Sequence, residues 1–244
     1  MDLHLSGTTA LVTGAGSGIG RAVALALAAE GVRVALLDRD GAALARTASG
    51  CPGALLLVAD VTDEAQVASA LARVDRLDAV VCCAGISGPV GAGIEDVSLA
   101  EWNAVLSVNV TGPFLVLRAA LPLLRASAAA SVVLISSDSA FVASPGMAPY
   151  CASKAALVQF GRALSVDLAD TGIRVNTVAP SVVDTPMSRG DLGDTALDEA
   201  AFPVQTADEV AAHVTYLLSP RSRAVNGTTL LSDFGYTARS GFPA

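Results

Sequence analysis

Short apolar runs alternate with longer stretches of helical periodicity along the whole chain. The runs at 8–13 (TTALVT), 32–37 (VRVALL), 54–59 (ALLLVA), 78–83 (DAVVCC), 131–136 (SVVLIS), 173–178 (IRVNTV) and 228–232 (TTLLS) predict seven strands. Most are nearly continuous in apolar residues, as strands covered on both faces must be. Helical patterns fill 18–30, 40–48, 63–74, 99–125, 151–170 and 206–218. Thr62 before Asp63 and Glu64, and Thr206 before Asp208 and Glu209, read as N-caps with acids in the first turn. This alternation predicts a doubly wound parallel sheet between two helix layers, an α/β/α sandwich with right-handed crossovers. No repeat or composition break divides residues 1–244, so the chain reads as a single domain. Ligands of such sheets bind outside the carboxyl ends of the strands.

Composition then removes several functions. With 52% hydrophobic and only 16% charged residues and a net charge of −8, the chain has no field to attract nucleic acid or anionic lipid. Runs such as AVALALAAEGVRVALLD are interrupted before the roughly 20 residues a bilayer requires, so no membrane span is expected. The start, MDLHLSGTTALVTG, has no basic segment followed by an apolar one, and the reading is a cytoplasmic protein in a reducing compartment. Cys51, Cys82, Cys83 and Cys151 form no C-x-x-C pair and the only histidines are His4 and His213, so no metal site is expected.

The first strand runs into TGAGSGIG, Thr13 to Gly20, with Gly14, Gly18 and Gly20 spaced for a tight strand-to-helix turn and for backbone to approach a pyrophosphate. The helix that follows offers free N–H groups to phosphate. Asp38 ends the second strand, where its carboxylate can accept from ribose hydroxyls and repel a 2′-phosphate, which favours NAD over NADP. Arg39 beside it could offset part of that preference. Asp60 and Val61 end the third strand, where a carboxylate could reach the adenine amino group.

Tyr150 and Lys154 are spaced to share one helix face, and a nearby ammonium is expected to lower the phenol pKa from its usual value of about 10. Tyr150 then becomes a candidate acid or base. Ser137, at the end of the fifth strand, could hold a substrate oxygen beside it. Asn109 is a poor helix former inside the long 99–125 pattern and suggests a side-chain or water-mediated link to the lysine.

In order along the chain, TGAGSGIG, Asp38, DVTD, Ala84-Gly85, Asn109, Ser137, YCASK, VNTVAP and DTPM together resemble the short-chain dehydrogenase/reductase family, in its single-domain group. The resemblance implies a Rossmann-type fold and a tetrad of Asn109, Ser137, Tyr150 and Lys154. It implies cofactor contacts from Gly14, Ser17, Gly18, Ile19, Gly20, Asp38, Arg39, Asp60, Val61, Ala84, Gly85, Tyr150, Lys154, Pro180, Val183 and Thr185. In that picture Lys154 holds the nicotinamide ribose and Val183 and Thr185 meet the carboxamide, while Tyr150 transfers the proton as hydride passes between nicotinamide and carbinol carbon.

The chain departs from the family pattern in three places. Cys83 replaces a usual Asn before Ala-Gly, Ser181 a usual Gly, and Phe234 the central Gly of a usual Asp-Gly-Gly. The Asp- and Gly-rich segment from Pro186 to Thr206 reads as a small or mobile lid. Ile86, Ser87, Asp138, Ser139, Val142, Met147 and Val182 are the pocket candidates, with Asp138 expected as an exposed carboxylate that could prefer a hydroxylated or cationic substrate. They suggest a small or medium alcohol or ketone. Cys151 lacks a base to act as a nucleophile. A non-catalytic NAD-binding sensor on the same fold is the alternative to the enzyme. The 99–125 and 151–170 patterns are apolar on more than one face, and homotetramerisation is the family expectation.

Overall fold

A computed structural model describes residues 2–239. The strands are β1 (Thr9–Thr13), β2 (Arg33–Asp38), β3 (Leu55–Val58), β4 (Ala79–Cys82), β5 (Ser131–Ile135), β6 (Arg174–Pro180), β7 (Val183–Asp184), β8 (Gln205–Thr206) and β9 (Thr229–Ser232). All but β7 and β8 form one parallel seven-stranded sheet in the order β3-β2-β1-β4-β5-β6-β9; β7 and β8 pair separately. The order reverses between β1 and β4, which opens a crevice above the carboxyl ends of both strands.

The helices are α1 (Gly18–Ala29), α2 (Gly41–Ala48), α3 (Glu64–Leu71), α4 (Leu99–Leu106), α5 (Gly112–Arg125), α6 (Ala148–Asp167), α7 (Pro186–Leu192), α8 (Asp194–Asp198) and α9 (Ala207–Leu218). Two apolar clusters sandwich the sheet. One joins Val12, Leu36, Val81 and Val133 to α1 and α9 through Val23, Leu27, Val210 and Val214. The other joins Leu11, Leu37, Val80 and Val132 to α3, α5 and α6 through Val67, Val116, Leu117 and Leu157. Successive strand residues point to opposite clusters, and both sides are apolar, which is why the strands show no polar alternation.

Two expectations change. Thr62 is not the N-cap of α3: Asp63 is, its carboxylate accepting from the N–H groups of Ala65 and Gln66. The Asp63 carboxylate lies where one oxygen reaches both first-turn donors, and Thr62 instead donates to Asp60. Thr206 does cap α9, in a reciprocal box with Glu209. The 99–125 pattern is broken by a π-helical turn over Ser107–Thr111. The whole Leu99–Arg125 stretch is long and apolar enough to cross a bilayer by length and composition, but its Val105, Val116, Leu117, Ala120 and Leu124 are spent on the protein interior. The segment after Pro186, read as a small or mobile lid, holds α7 and α8.

Candidate active site

One cleft crosses the carboxyl ends of β1, β2, β3 and β4, lined by Gly14, Ser17, Gly18, Ile19, Gly20, Asp38, Arg39, Asp60, Val61, Ala84, Gly85 and Thr185, all expected from sequence. Ala59, Cys83, Ile86, Val108, Pro186 and Met187 complete it. Pro180 and Val183 are buried in β6 and β7, and neither they nor Tyr150 and Lys154 are among its lining residues. The glycines are sterically required. A Cβ on Gly20 would stand 2.2 Å from the Gly14 carbonyl oxygen, and one on Gly14 would stand 2.8 Å from the Ala84 nitrogen.

The cleft suits a dinucleotide on its own geometry. Ser17 occupies the N-cap of α1 but makes no side-chain capping bond, so the first-turn N–H groups remain open toward the cleft. Asp38 is pinned at the end of β2, its Oδ2 accepting from Gly16 N–H at 3.0 Å and its Oδ1 from Asp40 N–H at 3.0 Å. Each oxygen keeps a lone pair for a ribose hydroxyl. Asp60 points an oxygen at the Thr62 N–H and hydroxyl, 2.8 and 2.7 Å away, and these bonds hold its carboxyl below the usual range.

Beyond β4 the cleft meets a polar group set in the interior. Tyr150 and Lys154 share a face of α6, with the lysine Nζ 5.4 Å from the tyrosine ring centroid. Lys154 is buried, and its Nζ donates to the Ile135 carbonyl at 3.0 Å. A Cβ on Gly85 would lie 3.6 Å from that Nζ, which places the ammonium at the cleft floor. Burial pulls the Lys154 pKa down to about 8. The phenol moves opposite to the expectation: burial pushes Tyr150 up to about 12, with the nearby Ser137 hydroxyl working against it and the charges of Asp138 and Asp191 adding to it. Loss of water around the phenolate outweighs the attraction of an ammonium that stands over the ring.

Asn109 makes no direct side-chain bond to Lys154. Its amide donates to the Ile86 carbonyl and to Ser153 Oγ, both at 2.9 Å, and its Oδ1 accepts from Ile86 N–H at 2.9 Å. All these bonds go to the loop after β4 and to α6, and none to Lys154. The π turn carries this side chain, which explains an asparagine inside an apolar helix pattern. Ser153 was not anticipated, although it stands within YCASK; it is fully buried and donates to the Tyr150 carbonyl at 2.7 Å.

Ser137 is buried, accepts from Ser139 N–H at 3.1 Å and donates to Asp138 Oδ1 at 3.0 Å. Asp138 is half-buried, not exposed, and burial raises its pKa. Ile86, Ser87, Ser139, Val142, Met147 and Val182 are half-buried as well. Over them, α7 is fastened by Asp191, which accepts from Ser87 Oγ at 2.8 Å. Arg189 ties α7 to Asp184, Asp194 and Asp198. Asp191 escaped the sequence reading because a seven-residue helix in an Asp- and Gly-rich segment has too few turns to show periodicity.

A family model described as Enoyl-(Acyl carrier protein) reductase matches residues 14–237. The 2-(R)-hydroxypropyl-CoM dehydrogenase of Xanthobacter autotrophicus is 37% identical over 94% of this chain and 98% of its own. The chain belongs to the short-chain dehydrogenase/reductase family. Within that family, the D-threitol dehydrogenase of Mycolicibacterium smegmatis is 36% identical over 98% of this chain and 96% of its own. The 3-ketoacyl-(acyl-carrier-protein) reductase of Brucella melitensis, solved in complex with NADH, superposes with a TM-score of 0.88 at 30% identity, covering 96% and 99% of the two chains. The protein is accordingly an oxidoreductase acting on CH–OH groups.

The three departures from the short-chain dehydrogenase/reductase pattern separate physically. At Cys83 the loop remains attached, because Thr13 Oγ1 accepts from the N–H groups of Cys83 and Ala84 at 3.1 and 3.2 Å. Ser181 is not at positive φ and its N–H bonds the Ser232 carbonyl, so a side chain there is unstrained. Phe234 is exposed at φ 53, in the left-handed region that favours glycine. Phe234→Gly is expected to stabilise the protein by about 1 kcal/mol, seen as a higher urea midpoint at unchanged slope.

Proposed function

We propose that the protein interconverts a secondary alcohol and a ketone with NAD, Tyr150 acting as general acid and base. The observation that carries this reading is the juxtaposition of Tyr150, Lys154 and Ser137 at the inner end of a cleft built for a dinucleotide. Bound there, NAD would supply the hydride acceptor. Asp38 would hold the adenosine ribose, and its fixed charge would oppose the 2′-phosphate of NADP. Lys154 would take the second ribose through the donors left free by Ile135. Pro180, Val183 and Thr185 would close the nicotinamide end. Ser137 would donate to the substrate oxygen while Tyr150 removes or returns its proton. Asn109 and Ser153 would keep the loop after β4 and the first turn of α6 in register. Four free cysteines fit a reducing cytoplasm. Assembly into a homotetramer would cover Phe114 on α5 and Val166 on α6, which are exposed.

Purified protein given NAD and a panel of secondary alcohols is expected to generate reduced nicotinamide, with kcat/KM for NAD at least about tenfold above that for NADP. Saturable NAD binding without turnover of any alcohol or ketone would leave only the sensor reading.

A further inference from the structure

Asp138 and Asp191 bring negative charge to the surroundings of Tyr150 from different parts of the chain. Asp138 follows Ser137 at the end of β5, and Asp191 descends from α7 across the loop after β4. Each is fixed by a serine hydroxyl, from Ser137 at 3.0 Å and from Ser87 at 2.8 Å. Both are half-buried. Neither takes part in an ion pair among the described residues. The single cation on α7, Arg189, is turned to Asp184, Asp194 and Asp198. The reacting oxygen is located independently of these carboxylates, by the hydroxyls of Tyr150 and Ser137. A ligand seated there is therefore in the field of two carboxylates that have no cationic partner among the described residues.

We propose that Asp138 and Asp191 are specificity residues that select a neutral substrate carrying a second hydroxyl next to the reacting carbinol, a vicinal diol or polyol, and reject anionic alcohols. The inference rests on the reading of Tyr150 and Ser137 above. A neighbouring hydroxyl supplies the donor that a half-buried carboxylate needs, whereas a hydrocarbon leaves the carboxylate dehydrated and unpaired. A carboxylate, sulfonate or phosphate on the substrate would face two like charges in a partly desolvated pocket.

The test compares butane-2,3-diol, butan-2-ol and 3-hydroxybutanoate, which share one carbon skeleton, with NAD in excess. The diol is expected to exceed butan-2-ol in kcat/KM by at least about tenfold and the anion by about a hundredfold. Asp138→Asn and Asp191→Asn each keep an oxygen for the serine hydroxyl and remove the charge. Each should raise the anion-to-diol ratio of kcat/KM by about tenfold. Equal use of diol and butan-2-ol by the wild-type protein, which involves no variant that could misfold, overturns the inference while the dehydrogenase reading stands. An anion preferred to the diol overturns it equally. NAD binding with no turnover of any of the three compounds overturns both.

Discussion

Tyr150→Phe is expected to lower kcat for alcohol oxidation by about 10²- to 10⁴-fold and to leave the dissociation constant for NAD unchanged. The substitution removes only the hydroxyl. The ring that stands 5.4 Å from the lysine Nζ remains, and the buried Pro149 and Ser153 on either side keep their packing. Binding and chemistry should therefore separate, which a structural role for the tyrosine would not produce. The pH profile gives a second readout. With burial holding the cofactor-free phenol near 12, the phenolate that oxidation requires is scarce at neutral pH and rises about tenfold per pH unit. Oxidation by the wild-type protein should accelerate with pH, whereas ketone reduction, which uses the protonated phenol, should not. Stopped-flow measurement of both directions checks this. The same slope in the Phe variant would move the proton acceptor elsewhere.

Lys154→Met is expected to abolish detectable turnover while making the cofactor-free protein more stable by about 2 kcal/mol at pH 7. Burial lowers the lysine pKa from 10.5 to about 8, so the folded protein binds this proton less tightly than the unfolded chain. The charged lysine thus opposes folding at full strength below about pH 8, by about 3 kcal/mol, and the opposition fades as pH rises to 10.5. Loss of the bond to the Ile135 carbonyl offsets roughly 1 kcal/mol of the gain. Methionine fills a similar volume without a charge. Urea denaturation at pH 7 and pH 10 should show the variant ahead at the lower pH and level or behind at the higher. A variant less stable than wild type at pH 7 would mean that the ammonium is better solvated than its burial implies. A positive result would show the strain a binding site carries until its ligand arrives.

The strands and long helices were legible because each rests on a local pattern. A β-strand between two helix layers must be apolar on both faces, and an amphipathic helix must repeat, so both leave a mark in sequence. The glycine loop was legible for the same reason: Gly14 and Gly20 stand where a Cβ would strike backbone. Asp38, Tyr150 and Lys154 could be found because their spacing falls within one turn or one strand end. The sequence did not show that α3 begins at Asp63, since Thr62 and Asp63 are both good caps and the choice depends on which oxygen reaches two N–H groups. Nor did it show that Asn109 bonds Ile86 and Ser153, because those partners are distant in the chain.

By itself, the order of residues determined the sheet with its covering helices, the dinucleotide cleft and the pairing of tyrosine with lysine. Each of these follows from contacts between near neighbours or from the periodic burial of apolar side chains. Only the tertiary structure decided the electrostatics. The phenol is pushed up and the ammonium pulled down because α6 and β5 exclude water from them, and Asp191 enters the site because α7 folds across Ser87, 104 residues away. Dehydration and long-range charge depend on everything that surrounds a group, and no local stretch of sequence contains that.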